Sequence, residues 1–206
     1  MNALSRRHGD KHSIDAPPSM PNLGAGWNST LAAAKRAKFV FAVIGHSWRI
    51  SPMSRQRGLP ILGMNSMSVE FFLDTNILVY TFDPTDHAKQ TRALSLVENA
   101  LEHQTGVISY QVVQELLNVA TRKFAHPLTP QQTRRYLETV LEPLCSVYAS
   151  VPLYRKAIDV QERWRYGFYD SLIIASALRA GCHTLYSEGL HDGQAIESLT
   201  IVNPFG

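Results

Sequence analysis

The chain has 206 residues, a length that suits one domain, or one domain with an appendage, and is ample for a self-sufficient core; its composition is that of a soluble globular protein. Twenty Lys and Arg against seventeen Asp and Glu give +3, but residues 1–66 hold nine basic and two acidic side chains (+7) while residues 67–206 hold eleven and fifteen (−4). The positive charge therefore belongs to the leading segment, which excludes reading it as the footprint of a nucleic-acid-binding core; any such binding there is local or metal-assisted.

From Met1 to about Ser66, Arg, Ser, Pro, Gly and His are mixed with little periodicity, which predicts a disordered extension. Within it Thr30–Gly45 could form a short helix or strand, and a basic arm for nucleic acid is the functional alternative. Met64 and Met67 stand directly before the first strand, which suggests that translation starts there. The apolar run Phe39–Gly45 falls far short of the roughly 20 residues of a membrane span, and "HSWRISPM" after it lacks a small-residue cleavage site. Neither a membrane segment nor secretion is expected.

A domain is predicted over residues 67–206. Val69–Thr75 reads as a buried strand, "NILVYTF" as a short helix and Asp86–Gln104 as an amphipathic helix. "GVIS" is a second strand. Tyr110–Phe124 is a helix with Val112, Val113, Leu116, Leu117, Ala120 and Phe124 on one face and Ser109 as N-cap. "LTPQQTRRYLETVLE" is another, with Pro130 tolerated in its first turn. Then follow a strand at "CSVYAS", a helix at "PLYRKAIDVQERWR", a helix at "DSLIIASALRAG" closed by Gly181, and strands at "HTLYS" and "LTIV". Strands separated by helices point to a mainly parallel sheet covered on both faces. Cys145 and Cys182 are too few for a disulfide scaffold and too far apart for a zinc knuckle, so they read as reduced, buried thiols of a cytoplasmic protein.

In such a sheet chemistry gathers beyond the carboxyl ends of the strands. Asp74 falls at that end of the first strand, Glu115 in the first turns of the helix after the second, and Asp170 at the opening of the helix before "HTLYS". Each alone could be an ordinary cap or a solvated helix residue. Together they would repel one another unless a cation lay among them, and hard oxygen ligands suit Mg²⁺ or Mn²⁺.

The segments "MSVEFFLDTNILVY", "ISYQVVQELLNV", "YGFYDSLIIASAL" and "LYSEGLHDGQ", in that order, resemble the PIN-domain ribonucleases, and within them the VapC toxins of bacterial toxin–antitoxin pairs. The resemblance covers Met67 to Gly206. It implies a three-layer α/β/α fold with a mainly parallel five-stranded sheet and an acidic cluster that binds Mg²⁺ or Mn²⁺ and cleaves single-stranded RNA. It further implies that Asp74, Glu115 and Asp170 are catalytic, that Asp74 and Asp170 ligate the metal, and that Thr75, Asn76 and Ser187 support the site. An antitoxin partner and a homodimer are implied in the same way.

One position departs from the pattern: where the family reads Ser-Glu-Asp, this chain has Ser187, Glu188 and Gly189. Glu188 is expected to point away, while Asp192 lies in a loop and could swing in; Asp74 and Asp170 could still hold one ion, so metal binding is expected to be retained with activity reduced. The alternative is a weakened or inactive module that still binds its antitoxin. A receiver domain is a weaker rival, since no Lys follows Lys156, and nicotinamide binding lacks its Gly-rich turn. Arg163, Arg165, Arg122 and Lys123 could steer RNA but read as ordinary solvated charges. Trp164, Tyr166, Phe168 and Tyr169 read as core packing, and the scattered histidines make a zinc site improbable.

Overall fold

The structure, a computed structural model, describes residues 69–206; the extension expected over residues 1–66, with its element at Thr30–Gly45, lies outside the described residues. The elements run β1 (Phe71–Leu73), α1 (Thr75–Tyr80), α2 (His87–His103), β2 (Gly106–Ser109), α3 (Tyr110–Arg122), α4 (Pro130–Tyr136), β3 (Cys145–Val147), α5 (Val151–Trp164), α6 (Phe168–Arg179), β4 (Thr184–Tyr186), β5 (Ala195–Ile196) and β6 (Leu199–Val202). Between α4 and β3 the chain continues through a π-helical turn, Leu137–Leu141, and a last helical turn, Glu142–Leu144.

Local chemistry accounts for most boundaries. Asp86 caps α2 by accepting from the Lys89 N–H, Ser109 caps α3 through Val112, and Thr129 forms a capping box with Gln132 ahead of Pro130. Gly181, at φ +75°, ends α6 in the left-handed conformation that a Cβ disfavours. On α3 the buried face is Val112, Val113, Leu116 and Ala120, while Leu117 and Phe124 are half-buried against the core. Ser171 to Ala177 of α6 are all buried, as befits a helix enclosed on every side. The stretch expected as one regular helix from Leu128 is instead interrupted by the π turn, which turns Val140 and Leu141 into the core after Tyr136.

The sheet order is β3-β2-β1-β4-β6-β5. All pairings are parallel except β5 with β6. It has six strands rather than five, because Ala195–Ile196 folds back on Leu199–Val202 as a short antiparallel edge too brief to show a pattern in sequence. Every residue of β1 and β2 is buried, the signature of a parallel sheet covered on both faces. From β1 the chain steps outward to β2 and β3, then returns across β1 to β4. The crossovers run outward from β1 and then back across it, and with the right-handedness general to such connections this would place α1–α4 on one face and α5–α6 on the other. β1 is thus the switch strand, and the crevice beyond its carboxyl end opens between β2 and β4.

Packing is tightest where β2 begins. A Cβ on Gly106 would lie 2.4 Å from the Phe71 ring and 2.5 Å from the Ala100 methyl, and the methyl is rooted on α2 and cannot swing aside. Gly106→Ala is therefore expected to destabilise the fold by about 1–3 kcal/mol, the usual cost of overpacking a filled core. Urea unfolding checks it: the midpoint falls while the m-value stays unchanged.

Candidate active site

Asp74 continues the β1 ladder by one residue, its N–H donating to the Tyr186 carbonyl at 3.0 Å, and then caps α1. Its Oδ1 accepts from the Thr75 N–H at 2.6 Å, and its Oδ2 accepts from Asn76 Nδ2 at 2.9 Å and from the Ser187 hydroxyl at 2.7 Å. Ser187 is fully buried just past β4. All three donors are neutral. Burial pushes the Asp74 carboxyl above its ordinary value; the bonds from Ser187 and Thr75 pull it back, and the charges of Glu115 and Asp170 add to the upward push.

Glu115 reaches the same rim from the second turn of α3. Its Oε2 accepts from the Thr75 hydroxyl at 2.5 Å and its Oε1 from Gln111 Nε2 at 2.7 Å. Gln111 also donates to the Tyr169 carbonyl at 3.3 Å, on the residue before Asp170. Thr75 thus bridges the first two acids, and Gln111 ties the second to the turn that carries the third. Asp170 sits in the first turn of α6, which starts earlier than the "DSLI" reading, with Gly167 as N-cap. Partial desolvation, then the Glu115 charge, raises its carboxyl. Gln111 was not singled out from sequence, although its spacing of four before Glu115 on one helix is the signal that could have found it.

Glu188 turns away from the rim, bonding to Lys89 and to the Tyr80 hydroxyl. Asp192 accepts from the Asn203 N–H at 2.7 Å. Neither fills the place of the missing acid. Gly189 is exposed, and a Cβ there would meet only Asn76 Nδ2 at 3.7 Å, so the position has room for a side chain.

The donor set at the rim is all oxygen and acidic, with no cation among its partners, and this chemistry suits a hard divalent ion. Among the described residues no three His, Cys, Asp or Glu groups form a ready-made metal cage.

Other expected residues are placed differently. Arg122 and Lys123 end α3, about 20 Å along its axis from the N-terminus that faces the rim. The Arg163 guanidinium lies 5.3 Å from the centre of the Trp164 ring, and Arg165 takes the left-handed C-cap of α5. Of the four aromatics read as core, Trp164 and Tyr166 do pack against it, but Phe168 and Tyr169 are exposed, Tyr169 by 68%. They open α6 on its outer side, where helical periodicity alone cannot say which face a neighbouring helix covers. Both cysteines are free; Cys182 is buried, with its thiol pushed up to about 12 by desolvation, while Cys145 is only half-buried. Among the described residues no helix is long and apolar enough to cross a membrane.

Three solved structures are similar to this chain. A toxin–antitoxin complex from Klebsiella pneumoniae aligns with TM-score 0.49 and 18% identity over 66% of this chain and 98% of that one. FitAcB from Neisseria gonorrhoeae gives 0.49 and 17% over 65% and 97%. The sarcin–ricin-loop-cleaving toxin VapC20 of Mycobacterium tuberculosis gives 0.46 and 20% over 61% and 92%. No curated protein matches at a significant level. The family profile of the PIN domain matches residues 71–189, more than half of the sequence and the span that carries all three acids, so the chain belongs to the PIN-domain family.

Proposed function

We propose that this protein is a metal-dependent endoribonuclease that cleaves single-stranded RNA, acting as the toxin of a cytoplasmic toxin–antitoxin pair. The observation that carries this is the meeting of Asp74, Glu115 and Asp170 at one rim, where the Glu115 and Asp170 charges raise the cost of ionising Asp74, Glu115 raises that of Asp170, and the donors bonded to Asp74 and Glu115 are neutral. Structural carboxylates are ordinarily paired with cations. Asp74 and Asp170 would hold Mg²⁺ or Mn²⁺, with Glu115 ligating through water or positioning the water that attacks. Bound there, the ion supplies charge neutralisation and Lewis acidity toward a phosphodiester. The protein's share is orientation: Asn76 and Ser187 fix one oxygen of Asp74, and Thr75 and Gln111 hold both oxygens of Glu115. In the hydrolysis, water adds to phosphorus, the ester bond breaks, and the proton passes to the departing alcohol oxygen. The antitoxin role comes from the motif resemblance, and such a partner would cover the acidic rim.

A second reading, a module that binds its antitoxin without cutting, is favoured by one observation, the bare position at Gly189. The expected homodimer has its own support. Val151, Tyr154 and Ile158 line the outer face of α5 at helical spacing, all exposed, beside exposed Tyr148 and Tyr110 and the Phe168–Tyr169 pair. A surface so rich in aliphatic and aromatic side chains suits a second copy of the chain.

Asp74→Asn is expected to lower Mn²⁺-dependent RNA cleavage by about 10²–10³-fold. Expressed without an antitoxin, the wild type should slow growth and this variant should not. Equal cleavage by both would remove the acids from the mechanism. In chelator the same variant should also change the pH dependence of stability. A raised carboxyl binds its proton more tightly in the folded state, so its favourable contribution is complete below the ordinary aspartate value of 3.8 and is lost as pH rises through the raised value. Wild type minus variant should show that decline in thermal melts, and added Mg²⁺ should offset it.

Gly189→Asp should raise the cleavage rate, as the position has space for the side chain. A wild type without activity whose Gly189→Asp variant cleaves would favour the binding-module reading. Ile158→Glu should convert the dimer to a monomer in sedimentation equilibrium. A wild type already monomeric at tens of micromolar would rule this surface out.

A further inference from the structure

Glu188 is the acid of the Ser-Glu-Gly segment that does not face the rim, and Lys89 lies 99 residues earlier on α2. The two form an ion pair, and the Tyr80 hydroxyl bonds the same carboxylate and lies 3.4 Å from the Lys89 ammonium. That ammonium also lies over two rings, 4.9 Å from the centre of Tyr80 and 5.7 Å from that of Phe205. With side chains 28% and 30% exposed, such a pair adds little to stability. What it holds in place has more consequence.

The Glu188 N–H donates to Asn76 Oδ1 at 3.4 Å. That bond decides which way the Asn76 carboxamide faces: with its oxygen taken by Glu188, its Nδ2 is turned to Asp74 Oδ2 and to Ser187 Oγ, at 2.9 and 3.3 Å. Ser187 Oγ accepts a hydrogen bond from the Gly189 N–H at 3.2 Å and donates one to Asp74 Oδ2 at 2.7 Å. The segment 187–189 therefore wraps the Asp74 carboxylate on one side and is anchored through Glu188 on the other. Released from Lys89 and Tyr80, it keeps no side-chain tie to α1 or α2 beyond the Asn76 and Ser187 bonds themselves.

We propose that Lys89, Glu188 and Tyr80 form a positioning clamp that sets the Asn76 amide and Ser187 hydroxyl on Asp74, and so tunes the affinity of the acidic rim for a divalent cation. The clamp deepens the nuclease reading and rests on it for the identity of the ion. Its chemistry makes a counter-intuitive sign. Deleting the positive charge of Lys89 would, by electrostatics alone, strengthen cation binding at the nearby rim. Loss of the clamp weakens it, because the ligand is no longer held.

The test is Mn²⁺ binding by titration calorimetry on the full-length protein, as wild type, Lys89→Met, and the charge swap Lys89→Glu with Glu188→Lys. Lys89→Met keeps the aliphatic stem and should weaken Mn²⁺ binding about tenfold, the common effect of losing a group that orients a ligand. The swap preserves net charge and restores the pair, and should recover most of that loss, with melting temperatures close to wild type. Binding by Lys89→Met as tight as wild type or tighter, or a swap that does not rescue, overturns the clamp.

Hydrogen exchange of the Asn76 side-chain amide, read by NMR without metal, separates the two readings. If the wild type binds no Mn²⁺, the nuclease reading fails, and the clamp stands or falls on whether Lys89→Met accelerates that exchange. Should Lys89→Met not fold, Tyr80→Phe removes one hydroxyl and must move both readouts in the same direction, and unchanged readouts overturn the proposal.

Discussion

A carboxylate at the end of the central strand, bonded only by neutral donors, is the constraint on which the rest of this structure turns. Asp74 has a backbone N–H, a carboxamide and a hydroxyl, but no cation. Those bonds offset part of the cost of removing the charge from water, and two neighbouring acids add to that cost. A fold selected for stability alone would pair or replace such a group. It is instead braced by three neutral donors, with Glu115 and Asp170 adding negative charge beside it.

The fold supplies the place. Because β1 is flanked by β2 on one side and β4 on the other, the chain enters the crevice beyond β1 from several segments. α1 brings Thr75 and Asn76, α3 brings Gln111 and Glu115, α6 brings Asp170, and the exit of β4 brings Ser187. Thr75 and Gln111 knit these contributions together across long sequence separations. The ion pairs Lys89–Glu188 and Lys156–Glu197 do not involve the three acids.

The segment after β4 is held beside Asp74 by short bonds of its own. Gly189 opens space at the rim, and the backbone around it is still held, by the Ser187 hydroxyl within the segment and by the Glu188 N–H on Asn76. The Glu188 carboxylate bonds Lys89 and the Tyr80 hydroxyl instead of joining the three acids.

What the sequence determined by itself was the part written in short-range physics. Apolar periodicity, the capping residue Ser109 and the terminating Gly181 set the order and most boundaries of the elements, and the strand ends suggested a shared edge for the acids, while the caps Asp86 and Thr129 emerged with the structure. The two-residue strand β5 and the π turn after α4 escaped, since neither carries a pattern longer than a few residues. Only the tertiary structure decided that Gln111 holds Glu115, that Glu188 reaches Lys89, and that Phe168 and Tyr169 face outward. The physical reason is that periodicity is a property of neighbours three or four residues apart, whereas the partner of a side chain and the covering of a helix face are set by crossovers and sheet register that join segments up to 113 residues apart.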